Sequence, residues 1–498
     1  MKKRILTGGF VLMLLALLLG ACQARPAQRD VVAGFVPAFE VTGDVEQPLS
    51  LKSLEEFRDS GLAREGNKGK IVSLGEIIER AVPAAQRYSV LIIGDDGLTA
   101  EVEGSSTADC HITFSEDNAW EAVNPKHPVS SNIKRIKEIV VVSEEENTST
   151  GLNIINKTEN LVSITPGGLY KRVMLDFPMF EGRSTIEHDG GENWTGIYTR
   201  RKMMAVKDIE CLYEVESPMA VTRDGSQSLI KNDGYLELKG NRIDYVFPNL
   251  KDRIEDVAGI AIDPPGASNM DTYHDAVHFM DRNEDVLIIV LDGFGYHQYE
   301  YALRKGYAPF LAGIAPAKMA FSVYTPVTNA GMAAILTGRP PSENGVHTRK
   351  EMDILTPSIF GYAEQSGKSS VMIEGNIKVL NLEIEPVLNI DRNSSGSTDD
   401  EIRDKALEMM EQSYNLMVVH FHGIDDSGHS CGDLSPETME RVKATDGYVE
   451  QLVSRWNGRV IITADHGMHS TSGGGSHGEF RYEDMVVPYI ICEGEGRE

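Results

Sequence analysis

The run DVLIIVLDGFG, Asp285 to Gly295, restricts the fold more than any other stretch of the chain. Six consecutive apolar residues do not show the in–out alternation of a strand with one face in water. The run is also short and rich in β-branched residues, which favours strand over buried helix. It reads as a strand covered on both faces, with Asp292 emerging where the strand ends. Three more runs read as buried strands: SSVMI (Ser369–Ile373), NLMVVHFHG (Asn415–Gly423) and RVIITADHG (Arg459–Gly467). The helical stretch DDEIRDKALEMMEQS, Asp399–Ser413, lies between two of them. Alternation of such strands with helices predicts a three-layer α/β domain with a central, mostly parallel sheet, over residues 283–492. Functional groups in such sheets gather beyond the strand C-termini, where three of these runs place acids or histidines.

Four stretches carry the chemistry. They are LDGFG with Asp292, TPVTNAGMAAILTG with Thr328, IDDSGH with Asp425 and His429, and TADHGMHSTSGGGSHGE with Asp465, His466 and His477. Carboxylates and imidazoles suit zinc or a similar divalent ion. Two such ions can clamp the attacking and leaving oxygens around phosphorus. A hydroxyl beside them can act as nucleophile. The residues alone therefore point to a binuclear hydrolase of phosphoryl groups. Each also has a plainer reading: Asp292 as a turn acid, Asp465-His466 as a capping pair, His477 as an exposed histidine in a Gly-rich loop. His420, His422 and His469 read as core histidines or as partners behind the ligands.

Taken in order, these motifs resemble the alkaline phosphatase superfamily, and within it the nucleotide pyrophosphatase/phosphodiesterase branch. There a strand-end Asp is followed by a threonine nucleophile nine positions before a Thr-Gly pair. Here Asp292 ends the strand and Thr328 precedes Thr337-Gly338 by that spacing. The DxxGH pattern matches Asp425–His429, DHGM matches Asp465–Met468, and the later HG matches His477-Gly478. The resemblance implies one metal on Asp425, His429 and His477, and another on Asp292, Thr328, Asp465 and His466. It implies two divalent ions, zinc first, and a two-step displacement through Thr328. The four-residue offset to His429 favours Asp425 over Asp426 as the ligand. Many branch members carry an Asn three positions after the nucleophile. Here that position is Gly331, so either the Asn329 side chain or the backbone N–H groups of Asn329 and Ala330 must hold a phosphoryl oxygen. A phosphodiesterase is the first reading. A phosphomonoesterase, a phosphonate hydrolase and an inactive surface-binding lipoprotein are the alternatives.

The N-terminus, MKKRILTGGFVLMLLALLLGACQ, has the basic start and apolar run of an export signal. Leu19–Cys22 resembles a bacterial lipobox, which implies a signal over residues 1–21, lipidation at Cys22 and a tether over 22–30. An exported protein anchored to the outer face of the cytoplasmic membrane or to the cell envelope follows. Residues 31–265 read as a β-rich α+β region, with room for two subdomains; Ser50–Asp59 reads as a short helix and 144–156 as an exposed loop. The YSVLIIGDDGLTAEVEG stretch, Tyr88–Gly104, faintly resembles the molybdopterin-binding scaffold of sulfite-oxidase-like proteins, without a cofactor cysteine. NDGYLEL, Asn232–Leu238, echoes the DDG of that stretch and raises a duplication. The later cysteines, Cys110, Cys211, Cys431 and Cys492, form no CxxC pair and no disulfide framework. A net charge of -27 argues against large nucleic acids as partners and leaves small phosphorus esters as substrates. Protein partners are not specified.

Overall fold

The computed structural model describes residues 38–52, 64–66, 69–115, 119–145, 150–172, 175–188 and 190–496. The signal, Cys22, the tether and most of the helix expected at Ser50–Asp59 lie outside the described residues. No helix of the described residues is long and apolar enough to cross a membrane. Cys110, Cys211, Cys431 and Cys492 are all free thiols.

The N-terminal half is one arrangement of strands built twice. The first copy holds β1 (Phe39–Gly43), β2 (Leu49–Leu51), β3 (Arg64–Gly66), β4 (Gly69–Ser73), β5 (Tyr88–Gly94), β6 (Thr99–Glu103), β7 (His111–Ser115), β8 (Ala119–Val123) and β9 (Ile136–Ser143). The second holds β10 (Leu152–Ile155), β11 (Asn160–Ile164), β12 (Leu175–His188), β13 (Gly191–Ala205), β14 (Met219–Thr222), β15 (Gln227–Leu229), β16 (Tyr235–Lys239), β17 (Arg242–Val246), β18 (Arg253–Ile254) and β19 (Val257–Ala261). One sheet runs β2-β1-β9-β5-β6 and its counterpart β11-β10-β19-β14-β15. In both, the first and last strands of the copy pair in parallel and the other pairings are antiparallel. The second sheets also correspond, β3-β4-β7-β8 against β12-β13-β16-β17-β18. Each copy has its own apolar core, one around Phe39 and Trp120 and one around Leu169 and Tyr245.

The echo that marks this duplication is not the one the sequence suggests. Asp96-Gly97 turns β5 into β6, and its structural counterpart is Asp224-Gly225 between β14 and β15. In each turn the Asp side chain accepts from the N–H two residues on, at 3.0 Å, and the glycine has φ near +85°. An Asp followed by a left-handed Gly is the natural chemistry for this turn. Asn232–Gly234 instead precedes β16, one connection later. The expected loop at 144–156 also needs correction, because Leu152–Ile155 is a largely buried strand inserted between β11 and β19. Its polar flanks conceal a run of only four residues.

The C-terminal half is organised by an eight-stranded sheet. Its strands are β20 (Ala267–Ser268), β21 (Val286–Leu291), β22 (Lys318–Phe321), β23 (Ser370–Glu374), β24 (Val387–Leu388), β25 (Leu416–Phe421), β26 (Arg459–Thr463) and, after a small hairpin of β27 (His469–Thr471) and β28 (Gly474–Ser476), β29 (Val486–Glu493). The order is β20-β22-β29-β26-β21-β25-β23-β24, parallel throughout except at the two pairings of β29. β21 lies between β25 and β26 and is wholly buried, which is why its sequence is continuously apolar. The sheet begins at Ala267, and the helix Asp271–Asp281 packs on it, so this fold starts before residue 283.

The second repeat is fused to this sheet by a shared core. Ile155, Val221 and Ala261 pack with Phe321, Phe480, Met485 and Val486. Gly259 of β19 faces the Phe480 ring so closely that a Cβ there would lie 2.1 Å from it. Asn160 both donates to Glu483 at 2.8 Å and accepts from the Tyr482 N–H at 3.0 Å. Substituting Gly259→Val is expected to destabilise the protein by roughly 1–3 kcal/mol through overpacking. Gly447→Ala, in a helix with open space at its Cβ, is expected to stabilise it by about 0.5–1 kcal/mol. Denaturant titration of the two variants distinguishes a packed junction from a loose one.

Candidate metal centre

The site forms where β21, β25 and β26 end side by side. Asp292 follows β21, and its N–H donates to the Phe421 carbonyl of β25 at 2.9 Å, extending the strand pairing by one residue. The helix Gly423–Cys431 starts just beyond β25 and carries Asp425 and His429 one turn apart on one face. Asp399, fully buried, accepts from the N–H groups of His422 and Gly423 and fixes that helix start. Asp465 and His466 follow β26, and His477 follows the β27–β28 hairpin. Thr328 is the first residue of the helix Thr328–Thr337. Two glycines allow the close approach. A Cβ at Gly293 would stand 2.8 Å from Asp425 Oδ1, and one at Gly331 would stand 2.4 Å from the Asp465 carbonyl oxygen.

The three histidines are oriented in the same way. Nδ1 of His429, His466 and His477 contacts the carbonyl oxygens of Gly475 at 3.2 Å, Gly467 at 2.9 Å and Pro326 at 2.9 Å. A carbonyl only accepts, so each Nδ1 carries the hydrogen and each Nε2 is turned inward. His429 Nε2 lies 3.3 Å from Asp425 Oδ2, and His477 Nε2 lies 3.6 Å from Asp425 Oδ1. His466 Nε2 lies 3.4 Å from Asp292 Oδ1 and 3.6 Å from Asp465 Oδ2. Asp425 Oδ1 and Asp465 Oδ2 are buried without a hydrogen-bond partner. Buried carboxylate oxygens without donors, facing inward-turned imidazole nitrogens, are what a divalent cation requires. Two sets of atoms lie within 4.8 Å of one another: Asp425, His466 and His477, and Asp292, Asp465 and His466. The Thr328 hydroxyl is 3.5 Å from Asp292 Oδ1 and 3.3 Å from His466 Nε2. All seven residues suggested as ligands thus come to one place, and the donor set fits the metals.

Residues 284–496 match the metalloenzyme superfamily. That match covers the strands and helices that carry the site. Part of the chain is similar to GPI ethanolamine phosphate transferase 1 of Schizosaccharomyces pombe, 33% identical over 104 residues, 19% of this chain and 11% of that protein. Part is similar to 2,3-bisphosphoglycerate-independent phosphoglycerate mutase of Parasynechococcus marenigrum, 29% identical over 102 residues, 20% of this chain and 19% of that one. The chain thus spans less than a fifth of the length of these curated relatives. Among solved structures, it is similar to phosphonoacetate hydrolase of Sinorhizobium meliloti, with 16% identity, TM-score 0.31, and 37% of this chain against 57% of that one. It is also similar to murine ectonucleotide pyrophosphatase/phosphodiesterase 5, with 22% identity, TM-score 0.32, and 38% against 58%.

Charge at this site is concentrated to an extent the bare side chains do not balance. Burial, aided by the neighbouring Asp292 carboxylate, pushes Asp465 up to about 7. Burial opposes the ionised form of Asp292 too, but the histidines His420, His422 and His466 hold it well below the usual range. Burial would lower His466, yet the carboxylates of Asp465 and Asp292 carry it up to about 10. His477, buried and beside His466 and Arg349, is pushed down to about 2, so it offers a neutral nitrogen.

Of the two readings of His420 and His422, partners behind the ligands is the one that fits, and two further features, Glu374 and Arg349, were not foreseen in the sequence. His420 on β25 and His422 just past its end join Asp292 in a third cluster, and His422 Nδ1 is 3.1 Å from Asp292 Oδ2. Glu374 at the end of β23 is fully buried behind His420. Arg349 places its guanidinium against Nε2 of both His429 and His477. A lone Arg in a polar loop carries no signal of such a place, whereas the His-x-His spacing did. The Asn329 side chain needs correction as a phosphate donor. Its amide donates to the carbonyls of Glu351 and Val379, both at 2.9 Å, so neither hydrogen is available. Asp425→Ala is expected to lose about one of two bound metal equivalents, and Asp426→Ala to keep both, as read by elemental analysis after dialysis against zinc.

Proposed function

We propose that this protein is a binuclear metal-dependent phosphoric ester hydrolase, a phosphodiesterase of the nucleotide pyrophosphatase type with Thr328 as nucleophile. The observation that carries this reading is the set of three inward-turned imidazoles facing Asp292, Asp425 and Asp465 beside the Thr328 hydroxyl. Asp425, His429 and His477 would hold one ion and Asp292, Thr328, Asp465 and His466 the other. When bound, the ions, zinc by the ligand chemistry, supply Lewis acidity that lowers the hydroxyl pKa and offsets charge on the leaving oxygen.

The chain's own groups do the rest. Thr328 Oγ1 loses its proton and attacks phosphorus, the bond to one ester oxygen breaks, that oxygen leaves as the alcohol with the proton, and threonine is left esterified to a phosphoryl group that keeps the second ester. Water then attacks the same phosphorus, the bond to Oγ1 breaks, one water proton restores the Thr328 hydroxyl, and the phosphate monoester departs. The N–H groups of Asn329 and Ala330 lie in the first helical turn, where they have no intrahelical acceptor, and they donate to the transferring phosphoryl oxygens. The Arg349 guanidinium lines the same cavity and supplies a charged donor to that group. One of the curated relatives is, by name, an ethanolamine phosphate transferase and another a phosphoglycerate mutase.

Thr328→Ala is expected to lower turnover of bis-p-nitrophenyl phosphate by at least roughly a thousandfold with metal content unchanged. Arg349→Ala is expected to lower kcat/KM by roughly ten- to a hundredfold. Full activity in T328A would remove the nucleophile from this scheme. A higher rate on p-nitrophenyl phosphate than on the diester would favour a monoesterase.

The three-layer arrangement of the catalytic domain and the sulfite-oxidase-type scaffold of the repeats belong to the same proposal, the latter as a fold without pterin chemistry. So does export and lipid anchoring at Cys22, which rests on the basic start, the apolar run and Leu19–Cys22. A Cys22→Ala chain is expected to lose radiolabelled palmitate and leave the membrane fraction; retained label would refute the anchor.

A further inference from the structure

The hairpin of β12 and β13 reaches out of its sheet as a bare two-stranded ribbon. β13 pairs with β16 only over Met203–Ala205, so from Gly191 to Lys202 its one strand partner among the described residues is β12. A ribbon of two strands is marginal in water unless further strands or a packed face support it. Yet this one exposes Phe180, Ile186, Trp194, Ile197 and Tyr198, with Trp194 62% and Tyr198 65% accessible. Its two free edges differ. β12 is interrupted by Pro178, which has no N–H to offer, and by Glu181, an extra residue opposite the step from Tyr198 to Ile197. β13 carries neither device over Gly191–Lys202, and a long regular free edge is a template for one more strand.

The residues along β13 say which strand fits. Glu192, Trp194, Gly196 and Tyr198 share one face, on which Phe180 meets Tyr198 and the Arg183 guanidinium lies 4.6 Å from the Trp194 ring. On that face Glu187 of β12 stands directly opposite Glu192, an unfavourable like-charge pair that a cation from outside relieves. A second β13, laid antiparallel about a two-fold axis at Gly196, supplies that cation. It brings Arg200 opposite Glu192 and Tyr198 opposite Trp194, and the symmetry forms each pair twice. The axis falls on a residue with no side chain, over which the Tyr198 ring already lies, 3.1 Å from where a Cβ would stand. Glycine inside a strand marks a place where another backbone comes close. We infer that two copies of this chain pair through β13, antiparallel and centred on Gly196, so that two marginal ribbons become one four-stranded sheet and the protein a dimer.

The test uses the full-length, zinc-loaded protein in detergent and sedimentation velocity over a concentration series. The wild type is expected to sediment as a dimer. Glu192→Arg, which sets arginine against Arg200 twice over, is expected to raise the dimer dissociation constant at least about tenfold, and Trp194→Glu at least about thirtyfold. Glu187→Arg makes the same charge change on the outer strand and is expected to alter the constant by less than about threefold. An unchanged circular-dichroism melt in each variant reports an intact body. A wild type that stays monomeric, a dimer indifferent to both β13 substitutions, or equal weakening by E187R and E192R overturns the inference. So does quenching of tryptophan emission in vesicles of brominated phosphatidylcholine that is lost in Trp194→Phe. Trp120 and Trp456 are buried, so that signal would assign the exposed face to a membrane surface instead of a second copy.

Discussion

Everything in the C-terminal half depends on bringing three carboxylates and three imidazoles into a space that excludes most water. Asp292, Asp465 and His466 are at most 3% exposed, and Asp425 is 8% exposed. Such a concentration of charge strongly opposes folding unless cations compensate it. Without metals, the compensation falls to protons, which is why Asp465 and His466 both shift upward. The sheet supplies the rigidity that this requires. β21, β25 and β26 are adjacent, parallel and in register, so their C-terminal residues emerge together without long loops to order.

The supporting contacts are polar and backbone-directed. Carbonyl oxygens of Gly467, Gly475 and Pro326 set the tautomer of each histidine, so ring orientation is decided by main chain and not by other side chains. His469 and Asp484 add a buried pair at 2.8 Å, and Asp484 also accepts from the Glu479 N–H at 3.0 Å, fixing the segment that follows His477. The N-terminal half reaches the same segment through Phe480. It is therefore part of the frame that holds the site, although none of its described residues lines the cavity over Thr328.

Much of this was legible in the sequence, for a physical reason. A strand buried on both faces has to be apolar throughout, so any charged residue at its end stands out, as Asp292, Asp465 and His466 do. Strand ends alone pointed to Asp292, Asp465 and His466, while Thr328, Asp425, His429 and His477 were grouped with them by the family resemblance of the motifs. What the sequence concealed was local or relational. The β10 strand is four residues long inside a polar stretch, too short for periodicity to show. Arg349 gains its place only from the path of its loop. The Asn329 amide was spent on two carbonyls, 22 and 50 residues away, that no spacing rule connects to it. The duplication was suspected from an echo one connection out of register, because Asp-Gly and Asn-Asp-Gly turns look alike until strand partners are known.

The matched turns of the two repeats now stand in unlike surroundings. Around Gly97 there is open space, while a Cβ at Gly225 would meet the Tyr324 carbonyl at 2.7 Å and Pro341 at 2.9 Å. Tyr324 lies four residues before Thr328, and its hydroxyl is 3.4 Å from Arg223 of the same turn. One copy of the turn is free to vary in anything but its backbone. The other has become a wedge against the approach to the proposed nucleophile, so the two halves of a repeated design carry unequal tolerance for change.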